Sequence, residues 1–245
     1  MILKFIFLFS INLLINPSPI DGAKLGKNIK IENKTSNFAS LDLTKRPLNF
    51  YIIANGKHAA VLNKSLNLNG SEVDYKISHP PFLIKNRGSV ILLDNENPSP
   101  FNVGYPSLIQ MLAASGHSTL AIEGGNFEEI EKVVKWEELH EILLLGVGKK
   151  GTQLILDLIE KVPRIKEELN SVLLINPPKT LSNKIEEYSK ENGDRIYWIL
   201  LKKEVDWFNK DNLKEINFEW NPEKKESIEK LAQISVNLLD FVHPR

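Results

Sequence analysis

Residues 141–158 read EILLLGVGKKGTQLILDL, and this stretch decides the fold. EILLLG is mostly apolar, which is typical of a strand buried on both faces. A glycine-rich turn follows, and the next residues predict a helix from Gly151 to Val162, because apolar side chains recur at helical spacing. A buried strand that turns directly into a helix is the unit from which parallel sheets are built.

The same alternation of strand and helix continues on both sides of this stretch. Helices are predicted from Leu108 to Gly116 and from Thr180 to Asn192. A third helix is predicted to begin at Asn126, its N-cap, because Glu129 follows three residues later. The last helix is predicted to begin at Asn221, also an N-cap, with Pro222 at the first helical position. The predicted buried strands are GSVILLD (88–94), STLAIE (118–123), SVLLIN (171–176), RIYWILL (195–201) and EINFEW (215–220).

The beginning of the domain has a different pattern. NFYIIA (49–54) and KHAAVL (57–62) predict two strands joined by a type I′ turn at Asn55-Gly56, and EVDYKI (72–77) predicts a further antiparallel strand. We therefore expect a three-layer αβα fold of the α/β class, in which one sheet lies between two layers of helices. Its sheet has about eight mostly parallel strands, an antiparallel N-terminal hairpin and no cap domain.

Composition excludes several classes of function. Lysine and arginine (31) balance aspartate and glutamate (31), and a neutral chain without a basic block argues against a nucleic-acid partner. The chain has no cysteine, so disulfides, thiolate nucleophiles and cysteine metal sites are excluded. The sequence predicts no cofactor, no metal site and no identifiable partner.

The N-terminus predicts export. A positively charged start (MILK) precedes an apolar run, FIFLFSINLLI (5–15), and then the breaker-rich segment NPSPIDGA. This order is typical of a secretory signal peptide, and the run is short for a membrane span. We expect a signal peptide at 1–23, an irregular segment with a short strand (NIKIEN) at 24–47, and one domain at 48–245. The mature protein would be periplasmic or secreted, and an uncleaved N-terminal anchor is the alternative.

Over residues 48–243 the chain resembles the α/β-hydrolase superfamily, on its antiparallel start, its strand order and its strand–turn–helix stretch. The resemblance implies a nucleophile elbow, G-x-Ser-x-G, at that turn. Here Gly148 stands at the nucleophile position and Lys150 replaces the last glycine. The layout also resembles, more loosely, an uncharacterised group of exported bacterial proteins, domain of unknown function 3530, in which a GHG-type turn often stands at the elbow.

The resemblance also places the other members of a catalytic triad. The acid would follow RIYWILL, where Glu204 and Asp206 are available, but the histidine position after the next strand reads Asn221-Pro222. His243 follows the last helix, on its wrong side. Asp94 and Glu96 lie in the loop where hydrolases build part of the oxyanion hole, and carboxylates there would repel a developing oxyanion. Acyl transfer by a triad therefore has no starting point, unless a loop serine such as Ser99 serves as nucleophile.

Three other interpretations of the turn remain open. GVGKKG fits the dinucleotide fingerprint G-x-G-x-x-G, but it does not open the sheet, and the next strand tip reads Asn176-Pro177-Pro178 rather than an acidic residue. The glycines can also serve the backbone turn alone. The turn could also hold an anion at the head of a helix that begins near Thr152. The anion would contact unpaired backbone amides between Gly146 and Gly151, with Gly148 in the turn, and the charges of Lys149 and Lys150.

Other polar residues give weaker signals. His58 and His79 have no ligand partner at metal-binding spacing, and His117 suits a loop position. The sequence WEELH (136–140) suggests a carboxylate–histidine cluster, although a solvated helix face explains it as well. The sequence thus favours a hydrolase-like binding module without triad catalysis. An active hydrolase with an unrecognised nucleophile, and an anion- or nucleotide-binding protein, are the alternatives.

Overall fold

A computed structural model describes residues 38–47, 49–55, 59–68, 70–82, 84–94, 107–123, 125–192, 195–204 and 212–243, all of which belong to one unit, Ile31–Arg245. The predicted signal peptide and the NIKIEN strand lie outside these ranges. Among the described residues, no helix is both long and apolar enough to cross a membrane.

Eight strands form one sheet in the order β1-β2-β4-β3-β5-β6-β7-β8. The β1–β2 and β2–β4 pairs are antiparallel and every other pair is parallel. The strands are β1 (Leu62–Leu68), β2 (Ser71–Ser78), β3 (Ser89–Asp94), β4 (Ser118–Glu123), β5 (Ile142–Val147), β6 (Leu169–Ile175), β7 (Tyr197–Lys202) and β8 (Leu213–Asn217).

Helices cover both faces of this sheet. They are α1 (Phe50–Asn55), α2 (Leu108–Ala114), α3 (Phe127–Trp136), α4 (Gly148–Lys161), α5 (Pro163–Glu168), α6 (Ser182–Glu191) and α7 (Lys225–Val242), with a 3-10 turn at Lys179–Leu181. Helices α1, α2 and α7 enclose one hydrophobic core, and α3 to α6 enclose the other. The expected three-layer, hydrolase-like α/β architecture is therefore confirmed.

The predicted hairpin at 49–62 is wrong. Residues 50–55 form a helix, because Phe50 and Ile53 are both buried while Ile52 is half exposed. A spacing of three residues between buried side chains belongs to a helix, whereas a strand would bury alternate residues. The antiparallel hairpin is formed by β1 and β2 instead, next to Gly70, whose φ of 93° suits glycine.

Several boundaries also differ from expectation. Helix α4 begins at Gly148 rather than Gly151, and α7 begins at Lys225 with Lys224 as N-cap. Asn221 caps a turn rather than the helix, because its side-chain oxygen accepts a hydrogen bond from the Glu223 amide at 2.9 Å. The last strand runs over Leu213–Asn217, where Leu213 and Ile216 are buried.

Candidate functional site at the carboxyl edge of the sheet

The turn after β5 is the sharpest strand-to-helix connection of the sheet's carboxyl edge. β5 ends at Val147 and α4 begins at the next residue, Gly148. The φ of Gly148 is 63°, in the left-handed region that a residue with a Cβ adopts only at a cost. This is the strained geometry expected of a nucleophile elbow, and the residue at its apex has no side chain.

Two further glycines let α4 approach β5 closely. A Cβ added to Gly146 would lie 2.7 Å from Ile155 Cδ1 and 2.9 Å from the Gly151 carbonyl oxygen. A Cβ added to Gly151 would lie 2.8 Å from the Leu93 carbonyl oxygen. The second packing glycine is thus Gly151 rather than position 150, where Lys150 is exposed to solvent.

The early start of α4 changes the expected anion site. Because α4 begins at Gly148, the backbone amides from the start of the helix up to Lys150 have no acceptor within the helix. Gly151 is buried and packs against Leu93, so it contributes a close contact and not a solvent-facing amide. The N-cap residue, Val147, offers no side-chain acceptor, and Lys149 and Lys150 are exposed beside these first-turn amides.

The expected acid and base positions are only partly described. Glu204 follows β7 and is exposed, whereas Asp206 lies outside the described residues. The segment from Phe218 to Lys224 after β8 contains no histidine. His243 lies 3.6 Å from Glu141, which directly precedes β5, and 3.3 Å from Asn170 at the start of β6. His243 is therefore at the amino edge of the parallel strands, opposite Gly148.

The loop after β3 falls mostly outside the described residues. β3 ends at Asp94, but nothing is described of its side chain or of Asn95, Glu96 and Ser99. The expected repulsion at an oxyanion hole, and the alternative serine nucleophile, therefore stay predictions.

The predicted carboxylate–histidine cluster at 136–140 does not assemble. Glu137 accepts hydrogen bonds from Tyr75 at 2.5 Å and from Lys64 at 2.9 Å, while His140 contacts Glu168 at 3.3 Å. Burial raises the pKa of Glu137, but the hydrogen bonds from Tyr75 and Lys64 outweigh it, so the pKa lies below its ordinary value of 4.5. Burial and the Glu137 carboxylate raise the pKa of Tyr75.

Sequence reasoning missed a cleft between the first turns of α6 and one face of β7 and β8, which opens past the carboxyl ends of β6 and β7. Its volume is about 640 Å³, and its walls come from the loop after β6, the first turns of α6, the end of β7 and the first half of β8. The Lys202 ammonium lies 2.5 Å from a carboxylate oxygen of Glu215 in one wall, where the Glu215 side chain is 5% exposed. Glu215 lies in a strand that the sequence predicts and Lys202 directly follows another, but only the register of β7 on β8 brings them together.

Among the described residues, no group of three or more histidines or carboxylates is arranged to hold a metal ion.

Comparisons with known proteins give similarities in structure only. No family model matches the chain, and no curated protein matches it. A predicted CIB-like hydrolase from Thermoplasma acidophilum is similar, with 15% identity, 74% of this chain and 98% of that chain covered, and a TM-score of 0.49. A zinc-bound, cold-adapted esterase from an Arctic intertidal metagenomic library shares 14% identity over 59% of this chain and 72% of that chain, with a TM-score of 0.41.

A fungal esterase from Rhizomucor miehei shares 13% identity over 69% of this chain and 77% of that chain, also with a TM-score of 0.41. All three TM-scores are below 0.5, so the fold assignment rests on the strand order and the layers described above.

Proposed function

We propose that this chain is an exported, hydrolase-like binding module that does not catalyse acyl transfer through a triad. The observation that carries the proposal is Gly148, which stands at the apex of the strand-to-helix turn with a φ of 63°. The backbone there has the shape that presents a nucleophile, and the residue supplies none.

The missing base strengthens this argument. A serine nucleophile needs an imidazole within hydrogen-bond reach, and the position after β8 where the resemblance expects it reads Asn221. His243 cannot replace that base, because it contacts Glu141 and Asn170 at the opposite edge of the sheet. Without these two groups, the fold still presents a shaped edge for binding.

Export rests on the sequence alone. The charged start, the apolar run at 5–15 and the breaker segment that ends near Ala23 occur in the order of a secretory signal. The loose resemblance to the exported group, domain of unknown function 3530, points to the same compartment.

Weak anion binding at the head of α4 is a second candidate function. It is favoured by one observation, namely that the N-cap Val147 provides no side chain to accept hydrogen bonds from the first-turn amides. An anion can accept them instead and is also attracted by the helix dipole and by Lys149 and Lys150.

Hydrolysis of chromogenic acetate and butyrate esters by the purified protein tests the main proposal. We expect no turnover above the rate of a heat-inactivated sample. Turnover by the native protein that is lost in Ser99→Ala, and is kept in a control variant at an exposed serine of α6, Ser182→Ala, would make the chain an active hydrolase with an unusual nucleophile.

A further inference from the structure

We infer that the cleft between α6 and the last two strands, β7 and β8, binds a small zwitterion of the amino-acid type with an aliphatic portion, an inference that rests on the proposed binding function. The cleft opens past the carboxyl ends of β6 and β7, at the edge where open α/β sheets bind their ligands, and it continues along one face of β7 and β8 as far as Leu213. Its volume of about 640 Å³ is within the usual range for small-molecule sites.

The strongest feature of the cleft is the ion pair in its wall. Lys202 and Glu215 are 2.5 Å apart, with side-chain exposures of 23% and 5%. Removing two charges from water is costly, and an apolar pair of similar volume often stabilises a fold as well or better. A charged pair kept at the wall of an open cleft therefore points to recognition, because it offers one partner for each charge of a zwitterion.

The other charges of the cleft are balanced in the same way. Lys179 and Lys203 contribute two more ammonium groups, and Glu186 and Glu204 contribute two more carboxylates. A cleft with three residues of each sign favours neither a simple anion nor a simple cation. A ligand that carries both charges matches it best.

Apolar residues provide the rest of the cleft lining, and they indicate the chemistry of the uncharged part of the ligand. They come from the loop after β6, from α6 and from the two last strands: Pro177, Pro178, Ile185, Leu200 and Leu213. Contact with these groups favours an aliphatic portion, since apolar surface removed from water on binding contributes favourably.

Asn176 adds a strained residue at the mouth of the cleft. Its φ is 49°, which is uncommon for a residue other than glycine, and its amide donates to the Leu201 carbonyl at 2.8 Å. Backbone strain of this kind concentrates at ligand sites. The exposed side-chain amide of Asn176 supplies both a donor and an acceptor to a polar ligand.

Leucine is the probe for this inference, with 4-methylpentanoate and 3-methylbutylamine as matched compounds that each lack one charge. Titrations of the full chain, followed by amide NMR signals, should show shifts at residues 176–186, 200–204 and 213–215. We expect leucine to bind at least tenfold more tightly than either matched compound. Equal binding by the carboxylate alone, shifts confined to residues 146–152, or no shift with any of the three compounds would overturn the inference.

A double substitution separates recognition from a structural role of the ion pair. Lys202→Met with Glu215→Leu should weaken leucine binding at least tenfold while leaving the unfolding midpoint unchanged or higher. The exposed pair on α7 provides the control, because Lys225→Met with Glu229→Leu removes a similar ion pair, with its charged atoms 3.4 Å apart, outside the cleft. Undiminished leucine binding by the first double variant would show that the pair is structural only and overturn the inference.

Two rim variants apply if that double variant does not fold. Lys179→Met and Glu204→Gln should each weaken leucine binding about threefold, and unchanged affinity in both would overturn the inference. The outcome is independent of the esterase assay. Absence of leucine binding without ester turnover leaves a binding module with another ligand, whereas ester turnover contradicts the proposed function whatever the leucine result.

Discussion

Gly146 and Gly151 approach each other so closely that a Cβ on Gly146 would lie 2.9 Å from the carbonyl oxygen of Gly151. The contact joins the end of β5 to the first turn of α4 and fixes the helix on the strand. The spacing of these two glycines therefore has a packing cause that needs no nucleotide or anion.

Gly146→Ala should lower the free energy of unfolding by about 1–3 kcal/mol, the usual cost of overpacking a core. Ile155→Val removes the Cδ1 atom that would lie 2.7 Å from the new methyl group, so the double variant should recover part of the loss. Chemical denaturation of the two single variants and the double variant measures this coupling. Strict additivity would mean that Ile155 is not the obstacle.

Gly148→Ser should fold and remain inactive toward esters. A residue with a Cβ at a φ of 63° costs about 1–2 kcal/mol in the free energy of unfolding. The new hydroxyl gains no base, because no histidine follows β8 before the end of α7. Denaturation and the chromogenic ester assay measure the two effects. Ester turnover by this variant would reveal a base that neither sequence nor structure identifies.

Glu137→Gln should destabilise the protein at pH 7 by about 1–3 kcal/mol, since Glu137 is a buried carboxylate that accepts hydrogen bonds from Tyr75 and Lys64. Its pKa in the folded state lies below 4.5. The contribution is therefore present above pH 4.5 and is lost as the pH falls through the folded-state pKa. Unfolding free energies of both proteins between pH 7 and pH 3 should converge.

Glu160 gives a matched control for this prediction. It accepts hydrogen bonds from Lys184 and Tyr188, the same residue types, but on the solvent-exposed surface. We expect Glu160→Gln to cause no measurable change in the free energy of unfolding, because exposed ion pairs are screened by water. A loss equal to that of Glu137→Gln would show that burial is not the deciding factor.

Phosphate should bind the head of α4 with a dissociation constant no lower than about 1 mM, or about 4 kcal/mol. At low salt we expect shifts in the amide signals of residues 147–151, and weaker binding in Lys149→Ala with Lys150→Ala. Lys224→Ala with Lys225→Ala, at the head of α7, is the control. Equal effects of the two double variants would indicate a nonspecific charge effect.

Residues 1–23 should direct export and be removed. Cell fractionation of a C-terminally tagged protein, with N-terminal sequencing of the mature form, measures both events. A mature N-terminus near residue 24 in the extracytoplasmic fraction is expected. Recovery of the full-length chain in the cytosol would contradict the prediction, and a full-length membrane-bound form would indicate an anchor instead.

Strands buried on both faces could be predicted well, because runs such as those of β3, β5 and β6 have few polar interruptions. The segment at 49–62 could not, since NFYIIA is short and apolar and suits a strand and a helix equally. Only the burial of Phe50 and Ile53 against the core selects the helix. An Asn-Gly pair occurs at 55–56 and again at 69–70, and sequence alone gave no reason to prefer the second for the hairpin.

The sequence allowed a part of the candidate site to be placed only where that part depends on a single residue and its neighbours along the chain. Gly148 could be placed at the turn because the strand and helix flank it directly in sequence. The pair Lys202 and Glu215 could not, because it depends on the lateral register of two parallel strands that pair Lys202 with Asn217 and Leu200 with Glu215. Register of that kind is set by packing across the whole sheet.

Lys64 also bears on how copies of this protein behave at high concentration. β1 forms one edge of the sheet, and Lys64 projects from it toward Glu137 on the face that α3 covers. An inward-pointing charge on an edge strand discourages the addition of a strand from another molecule. We therefore expect the ion pair with Glu137 to discourage amyloid-like growth at this edge of the described sheet, a role in colloidal stability that is separate from any ligand.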